Sequence, residues 1–309
     1  MDFTKDRAAR RQMGADLALL TVVTIWGATF VMVQDAVRTF PVFAFLTIRF
    51  VLAALVLLPL AWRETPGSRL DRRCLLEGAL MGLALTAGYG FQTMGLRFTT
   101  PARAGFITGL SVVLVPIASA LFLRRPPSRA ATLGVGLATV GLGVLSLNSD
   151  WRMGVGDLLV FACALSFAAQ IVLTASFAPG RPAVRLATIQ IVTVALLSGL
   201  ISLLWEPRWP TLTGRTAFAA VFTGVLATSL AFAVQTMAQR FTSPTHTALI
   251  FSLEPVAAAL FSFVLIGETL TPRALVGCAL ILAGMVAAEA GDWLWRGAKR
   301  MGWGVEGGT

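Results

Sequence analysis

Two ionisable side chains, Arg49 and Glu254, lie deep inside long apolar stretches of this chain. A charge at the middle of a membrane-spanning helix costs about 2.5–3.5 kcal/mol, so such residues usually face the interior of a helix bundle or a wet cavity. Arg49 has two interpretations: it binds an anion such as a carboxylate, or it binds backbone carbonyls and fixes helix packing. Glu254 also has two: it carries a proton or binds an amine, or it organises the bend that Pro255 imposes by lacking a backbone N–H.

Four glutamines and several aromatic residues share these apolar stretches. An amide within a span either bonds a neighbouring helix or faces a polar site, and a spanning aromatic either packs or lines a cavity. Pro116 and Pro255 are candidate bend points, because proline interrupts helical hydrogen bonding. The candidate cavity residues are Trp26, Arg49, Tyr89, Gln92, Gln170, Gln190, Gln235 and Glu254.

The composition is that of an integral membrane protein. Of the 309 residues, 56% are hydrophobic and 13% are charged, whereas soluble domains carry about 25% charged residues. Ten stretches are long enough to cross a bilayer, which takes about 20 apolar residues. They are residues 17–37, 42–62, 74–96, 102–123, 130–148, 157–178, 183–205, 214–237, 246–266 and 273–292.

Basic residues in the connecting segments predict the orientation. With the N-terminus in the cytoplasm, the inside segments hold 17 Lys and Arg residues and the outside loops hold 7. The bias favours a cytoplasmic N-terminal tail (1–16) and a cytoplasmic C-terminal tail (293–309). Because the arginines lie in short loops, the net charge of +10 reflects topology, and we expect no nucleic-acid partner.

An internal repeat divides the chain into two units. The string Gln-Thr-Met-x-x-Arg-Phe-Thr-x-Pro occurs at 92–101 and again at 235–244, a shift of 143 residues, and Thr47–Ile48 matches Thr188–Ile189 at a shift of 141. Under these shifts Arg49 corresponds to Gln190, and Trp26 corresponds to Phe167. We call such residues repeat equivalents.

Each unit, at 17–148 and 157–292, contains five spans, and an odd number places the second unit upside down. The basic loop 123–129 accordingly becomes the acidic segment 266–272. The predicted fold is all-α and integral to the membrane, with ten transmembrane helices as two inverted five-helix repeats. Inverted repeats place a binding site at their interface, near the bilayer midplane.

Three motifs carry a family resemblance. They are Ile-Trp-Gly-Ala-Thr-Phe at 25–30, Arg-Phe at 49–50, and Ser-Leu-Glu-Pro at 252–255 followed by Gly-Glu-Thr-Leu-Thr at 267–271. With these motifs the chain resembles the drug/metabolite transporter superfamily, and specifically bacterial transporters with two EamA-type domains. The first repeat departs from the pattern, because Ser111–Val112 stand where Glu254–Pro255 stand in the second.

The resemblance implies a secondary transporter that exports or exchanges a small polar metabolite, such as an amino acid, by alternating access. It implies a midplane cavity lined by the third, fourth, eighth and ninth helices with contributions from the first and sixth. Pro116 and Pro255 would then act in gating, with a proton or a counter-substrate as the coupling partner.

Other functions have less support in the residues. A multidrug or cationic efflux carrier is the alternative substrate class. A channel lacks a repeated filter motif here. An intramembrane enzyme lacks its motifs, because His246 is the only histidine and neither His-Glu-x-x-His nor paired Asp-rich motifs occur. We therefore expect no enzyme activity, no cofactor and no metal site, and we expect His246 to be a solvated helix-start residue.

Assembly and location follow from weaker signals. Small residues at Gly134, Gly136 and Ala138 in the fifth span, and at Gly277 and Gly284 in the tenth, allow close helix approach within the bundle or between protomers. A monomer or weak homodimer fits this pattern. The excess of Arg over Lys, 23 to 2, is typical of a GC-rich bacterial genome and favours a bacterial inner membrane.

Overall fold

The chain folds into helices throughout the part that the structure describes, with no strand there. The structure, a computed structural model, describes residues 3–64, 71–146, 154–206, 209–257, 260–261 and 271–300. The helices are α1 (Phe3–Gly27), α2 (Phe30–Thr39), α3 (Val42–Glu64), α4 (Arg72–Gly95), α5 (Pro101–Gly109), α6 (Ser111–Leu123), α7 (Arg129–Ser146), α8 (Val155–Phe177), α9 (Ala183–Trp205), α10 (Gly214–Gly224), α11 (Ala231–Ala238), α12 (Pro244–Phe251) and α13 (Pro272–Arg300). A π-helical segment, Val225–Leu230, joins α10 to α11.

Seven helical segments in the described residues are long and apolar enough to cross a membrane, so the protein is a multi-pass membrane protein. They are Arg10–Thr39, Val42–Glu64, Arg72–Gly95, Arg103–Leu123, Val155–Phe177, Ala183–Trp205 and Gly214–Ala238. Two shorter apolar helices cover the fifth and tenth predicted spans, at Arg129–Val144 and Pro272–Ala288. The ninth predicted span, 246–266, falls partly outside the described residues, as does the segment 266–272.

Helices extend into both predicted tails. α1 begins at Phe3, and α13 runs to Arg300. The prediction placed the membrane segments from apolarity alone, whereas a helix continues wherever its backbone hydrogen bonds can form.

Several predicted spans are interrupted by breaks that the sequence prediction missed. α1 and α2 are separated at Ala28–Thr29, and α5 and α6 at Leu110. α12 ends at Phe251, and a second helical stretch begins at Glu254. Leu110 and Leu253 are repeat equivalents, and both amides donate to the carbonyl three residues earlier, at 3.1 Å in each case. The fourth and ninth spans therefore break at the same point of the repeat.

The two proline bend candidates lie differently relative to these breaks. Pro255 is the second residue of the helical stretch that follows the break at Ser252–Leu253, whereas Pro116 lies inside α6, which continues through it.

Four helix pairs run antiparallel across the boundary between the repeats. In α3 and α9, Thr47 packs on Gly199, while the Thr188 hydroxyl donates to the Leu57 carbonyl (3.4 Å). In α4 and α8, a Cβ at Gly88 would meet Phe167, and a Cβ at Gly95 would meet Val160. α1 and α11 also run antiparallel to each other, as do α7 and α13.

The contact between α7 and α13 is tight because glycines meet across it. A Cβ on Gly134 would lie 2.5 Å from the Gly284 carbonyl oxygen, and a Cβ on Gly284 would lie 2.6 Å from the Gly134 oxygen. A Cβ on Gly141 would likewise lie 2.7 Å from the Gly277 oxygen. These small residues therefore serve packing within the bundle.

Carboxylates from each repeat cap a helix of the other. The Glu206 carboxylate, just after α9, accepts the Phe43 and Ala44 amides at the start of α3 (2.8 and 2.7 Å). The Glu64 carboxylate, at the end of α3, accepts the Arg185 amide at the start of α9 (2.9 Å). Both place negative charge at a helix N-terminus, where the helix dipole favours it.

Ion pairs tie the helix ends together outside the apolar segments. Arg181 bonds Asp71 (2.8 Å) and Glu77 (2.8 Å), linking the start of α4 to the loop after α8. Hydrogen bonds from the Arg73 amide and from Arg181 hold the pKa of the Asp71 carboxyl below its ordinary value.

His246 is buried and pairs with Asp16 at 3.4 Å, so the expectation that it is a solvated residue was wrong.

Candidate functional site

A central cavity lies between the two repeats. It comprises about 720 Å³ of space between atoms, part of which is open to solvent. Its lining comes from the first, second, third, fourth, sixth, eighth and ninth predicted spans. The lining residues are Trp26, Thr29, Phe30, Val33, Arg49, Leu85, Tyr89, Gln92, Leu96, Thr108, Gly109, Ser111, Phe167, Gln170, Ile171, Phe232, Gln235, Phe251 and Glu254.

The lining follows the internal repeat. Seven pairs of repeat equivalents contribute both members, so each wall presents the same helical positions of a different copy. The pairs are Trp26 and Phe167, Thr29 and Gln170, Phe30 and Ile171, Tyr89 and Phe232, Gln92 and Gln235, Thr108 and Phe251, and Ser111 and Glu254.

Arg49 brings a buried cation to this cavity from α3. Its side chain is 3% exposed. Nε donates to the Thr228 hydroxyl (2.8 Å) and Nη2 donates to the Tyr89 hydroxyl (3.3 Å), and the guanidinium carbon lies 4.6 Å from the centre of the Tyr89 ring. No carboxylate of the described residues lies within 4 Å of it. Because a guanidinium has five N–H donors, Arg49 keeps donors available beyond these two bonds.

Glu254 lies at the start of the helical stretch that follows the break in the ninth span. Its side chain is half-buried and lines the cavity. Among the described residues it has neither a hydrogen bond nor an ion pair. Its repeat equivalent, Ser111, lies directly after the break between α5 and α6. The cavity thus holds one basic and one acidic side chain, each lacking a charged partner in the described structure.

Four buried side-chain amides form a cluster at the second-repeat wall of the cavity. We define the amide cluster as Gln170, Gln190, Gln235 and Gln239. Gln170 donates to the Gln190 amide oxygen (3.1 Å), and Gln235 donates to the amide oxygens of Gln170 and Gln239 (3.1 Å each). Gln190 donates to the Thr236 hydroxyl (3.2 Å). Gln170 and Gln235 line the cavity, while Gln190 lies behind them and supports them.

Aromatic rings form the apolar surface of the cavity. The Trp26 ring lies 5.7 Å from Phe232 and 4.9 Å from Phe251, measured between ring centres, and the Tyr89 ring lies 5.3 Å from Phe167. The Trp26 indole donates to the carbonyl of Ala227 in the π-helical segment (2.8 Å). A π-helical turn shifts its hydrogen bonds by one residue, and the indole fixes the first span to this irregular backbone.

Of the eight predicted cavity residues, seven line the cavity and Gln190 lies behind it. Among the lining residues that sequence reasoning missed are Thr29, Thr108, Ser111, Phe232 and Phe251. A signal existed for three of them, because Thr29, Ser111 and Phe232 are repeat equivalents of Gln170, Glu254 and Tyr89. Within the described residues, no group of three His, Cys, Asp or Glu side chains could hold a metal ion.

Comparison with known proteins gives consistent relatives. The chain is 35% identical over 276 residues to a protein of Archaeoglobus fulgidus named as an uncharacterized transporter, covering 89% of this chain and 86% of that protein. It is 27% identical to a Salmonella typhimurium protein named as a probable amino-acid metabolite efflux pump, with 87% and 92% covered. It is 26% identical to the Escherichia coli protein YedA, named as an uncharacterized inner membrane transporter, with 90% and 91% covered.

A solved crystal structure has the same fold. Its chain superposes with a TM-score of 0.76 at 22% identity, with 89% of this chain and 98% of that one covered. The profile of the EamA-like transporter family matches the chain twice, at residues 13–147 and 154–288. With two matches that span most of its length, this chain belongs to the EamA-like transporter family.

Proposed function

We propose that the protein is a secondary transporter that exports or exchanges a small polar metabolite, namely an amino acid or a related compound, across the inner membrane. Its substrate would bind in the central cavity and reach either side by alternating access. The observation that carries the proposal is the cavity itself, which is built from repeat equivalents and holds Arg49 and Glu254, neither of which has a charged partner among the described residues.

The two charges match the two ends of a zwitterion. A substrate carboxylate would take the free N–H donors of Arg49, because guanidinium binds carboxylates in a fork geometry. A substrate amine would bind Glu254, or Glu254 would carry a coupling proton. The printed name of the Salmonella relative, an amino-acid metabolite efflux pump, supports the same substrate class for this chain.

The proposal includes ten spans arranged as two inverted five-helix repeats, with both termini in the cytoplasm. Three facts support the inversion: the antiparallel helix pairs, the reciprocal glycine contacts of α7 and α13, and the reciprocal caps from Glu64 and Glu206. Topology reporters fused in 123–129 and in 266–272 test it. The two loops should report from opposite sides of the membrane, and reports from one side would exclude the inversion.

Transport assays test the site. The purified protein in liposomes should show counterflow, meaning faster uptake of labelled substrate when unlabelled substrate is preloaded, whereas a pore would not. A panel of amino acids, sugars and cationic drugs identifies the substrate class. Arg49→Ala and Glu254→Gln should each abolish transport while expression is retained, and full activity in both variants would remove this site assignment.

Cationic compounds are the second candidate substrate class. Glu254 together with the rings of Trp26 and Phe251 would suit an organic cation, since aromatic faces attract cations. This alternative predicts that Arg49→Ala improves transport of cations by removing a like charge, while Glu254→Gln abolishes it.

A further inference from the structure

Two helices that flank the cavity end next to prolines that leave a carbonyl without its helical partner. The carbonyl of Val37 in α2 would normally accept the amide of residue 41, and that of Ala178, just after α8, would accept the amide of residue 182. Both positions are proline, Pro41 and Pro182, and proline has no N–H. The two prolines are repeat equivalents, and so are Val37 and Ala178.

An arginine from the repeated Gln-Thr-Met-x-x-Arg motif binds each of these carbonyls. Arg97 Nε donates to the Val37 oxygen (3.2 Å), and Arg240 Nε donates to the Ala178 oxygen (3.1 Å). The Ala178 oxygen also accepts the Arg181 amide (3.2 Å). A cation at a helix C-terminus interacts favourably with the helix dipole. The arginine of the repeated Gln-Thr-Met-x-x-Arg motif therefore makes the equivalent hydrogen bond in both repeats.

The two bonds lie at opposite ends of the bundle. The Arg11 guanidinium lies 5.9 Å from the centre of the Phe241 ring, beside Arg240, whereas Arg97 contacts Val37 near the end of α2. Residues 11 and 37 are separated by about 40 Å if α1 and α2 keep the 1.5 Å rise per residue of an α-helix. We call these the Arg240 end and the Arg97 end.

A glutamine reinforces each bond. At the Arg97 end, the Gln34 amide donates to the carbonyls of Leu96 and Thr99 (3.2 and 3.3 Å), so α2 is held to the corner between α4 and α5. At the Arg240 end, the Gln239 amide donates to the Ile171 carbonyl (3.1 Å), so α8 is held to the end of α11.

At the Arg97 end, both Arg97 and Val37 line a second cavity, which adjoins the central one at Leu96. A vestibule there is lined by Val37, Arg38, Leu96, Arg97 and Arg103 among others, and Leu96 also lines the central cavity. α2 is already separated from α1 at Ala28–Thr29, so it could swing as a unit if its bonds to the α4–α5 corner broke. Opening there would join the vestibule to the substrate cavity.

We propose that Arg97 and Arg240 are paired gate residues, each holding its own end of the bundle closed by binding a carbonyl whose helical N–H partner is replaced by a proline. This rests on the proposed alternating-access function, in which one end opens while the other stays shut. Arg97 and Arg240 are positioning residues, because they act through α2 and α8 and do not touch the substrate.

The test measures from which side the cavity is accessible. Cys74, Cys163 and Cys278 are replaced by Ala, and Ser111→Cys places a reporter thiol on the cavity wall. A membrane-impermeant thiol reagent is then applied to right-side-out and to inside-out vesicles. Arg97→Gln should raise the labelling rate from the Arg97 end about threefold to tenfold, as loss of a partly exposed charge-assisted hydrogen bond would allow, and lower it from the other end. Arg240→Gln should produce the mirror-image change.

Matched arginines control for charge. Arg38→Gln removes a positive charge from the vestibule at the Arg97 end. Arg129→Gln removes a positive charge near the start of α7. Neither side chain binds the Val37 or the Ala178 carbonyl. Both should leave the ratio of the two labelling rates unchanged. The proposal is overturned if Arg97→Gln and Arg240→Gln shift the ratio in the same direction, leave it unchanged, or shift it no more than the controls do.

Two further arms keep the result interpretable. If a Gln variant fails to accumulate, Arg97→Lys and Arg240→Lys replace it, because they keep the charge but lose the Nε–H donor. The two Lys variants should shift the ratio of labelling rates in opposite directions, by less than the Gln variants do. Shifts in the same direction, or no shifts, count against the proposal. Labelling needs no substrate. Opposite shifts without transport of any panel compound would therefore reject the proposed substrate class and retain the gates.

Discussion

The two walls of the central cavity occupy equivalent positions of the repeat and differ in chemistry. On the first-repeat side, Arg49 binds Tyr89 and also reaches Thr228 in the second repeat. On the second-repeat side, Gln190 replaces Arg49, and its side chain turns into the amide cluster. Backbone features such as the breaks at Leu110 and Leu253 are shared. The two repeats therefore share their framework, while one has a charge facing the cavity and the other uses the same position as a structural support.

The largest effect is expected where this difference is erased. Arg49→Gln gives both repeats the same residue and removes the one cationic side chain among the described lining residues. Transport of a carboxylate substrate should fall at least about 100-fold, since a charged hydrogen-bonding partner is lost from a buried site. Transport by the Arg49→Lys variant should fall about tenfold, because an ammonium group cannot reproduce the forked pair of hydrogen bonds that a guanidinium makes to a carboxylate. Liposome uptake measures both, and near-normal uptake by Arg49→Gln would make Arg49 a packing residue.

The framework shared by the repeats can be tested at its closest contact. Gly134→Ala and Gly284→Ala each place a methyl group within about 2.6 Å of a carbonyl oxygen. Each should lower the free energy of unfolding by about 1–3 kcal/mol, the range for overpacking, and by similar amounts. Gly136→Ala is the control, because a Cβ there meets nothing within 4 Å; it should raise stability by about 0.5–1 kcal/mol through helix propensity. Thermal unfolding in detergent measures all three, and unequal losses at 134 and 284 would break the equivalence.

Gln190 should matter more for stability than for transport. Gln190→Met removes hydrogen bonds to Gln170 and Thr236 while filling a similar volume, at an expected cost of about 1–2 kcal/mol. Transport should fall less than tenfold, since Gln190 does not line the cavity. A loss as severe as that of Arg49→Gln would instead place Gln190 in contact with the substrate.

The smallest effect is expected at Tyr89, whose repeat equivalent is Phe232. Tyr89→Phe removes the hydroxyl that accepts from Arg49 at 3.3 Å but keeps the ring under the guanidinium. The apparent substrate affinity should weaken about twofold to fivefold, in line with one hydrogen bond. A change above tenfold in concentration-dependent uptake would mean that the hydroxyl binds substrate directly.

Apolarity predicted the long helices of the fold. α3, α4, α8 and α9 match four predicted spans closely, because a helix in lipid must satisfy its own backbone groups and its length is set by the bilayer. The breaks at Ala28–Thr29 and Leu110 were not predicted, since neither carries a proline or a charge and both depend on contacts between helices. Pro116, in contrast, leaves α6 continuous, as membrane helices often tolerate proline.

The site was predictable where composition is unusual. Arg49, Glu254 and the glutamines stand out because polar groups are rare in apolar stretches. Thr108 and Phe251 do not stand out, and the repeat register pairs them only with each other, so it does not mark them as site residues. The position of Gln190 behind the wall depends on its side-chain direction, which a linear pattern does not contain.

The reciprocal caps have a consequence for biosynthesis. The amides of Phe43 and Ala44 belong to a helix that leaves the ribosome early, but their acceptor, Glu206, follows about 160 residues later. At roughly 5–20 residues per second, α3 waits about 8–32 s for its cap. During that interval the start of α3 must find hydrogen-bond acceptors at the membrane surface, and its cap forms only after about the first third of the second repeat has been translated.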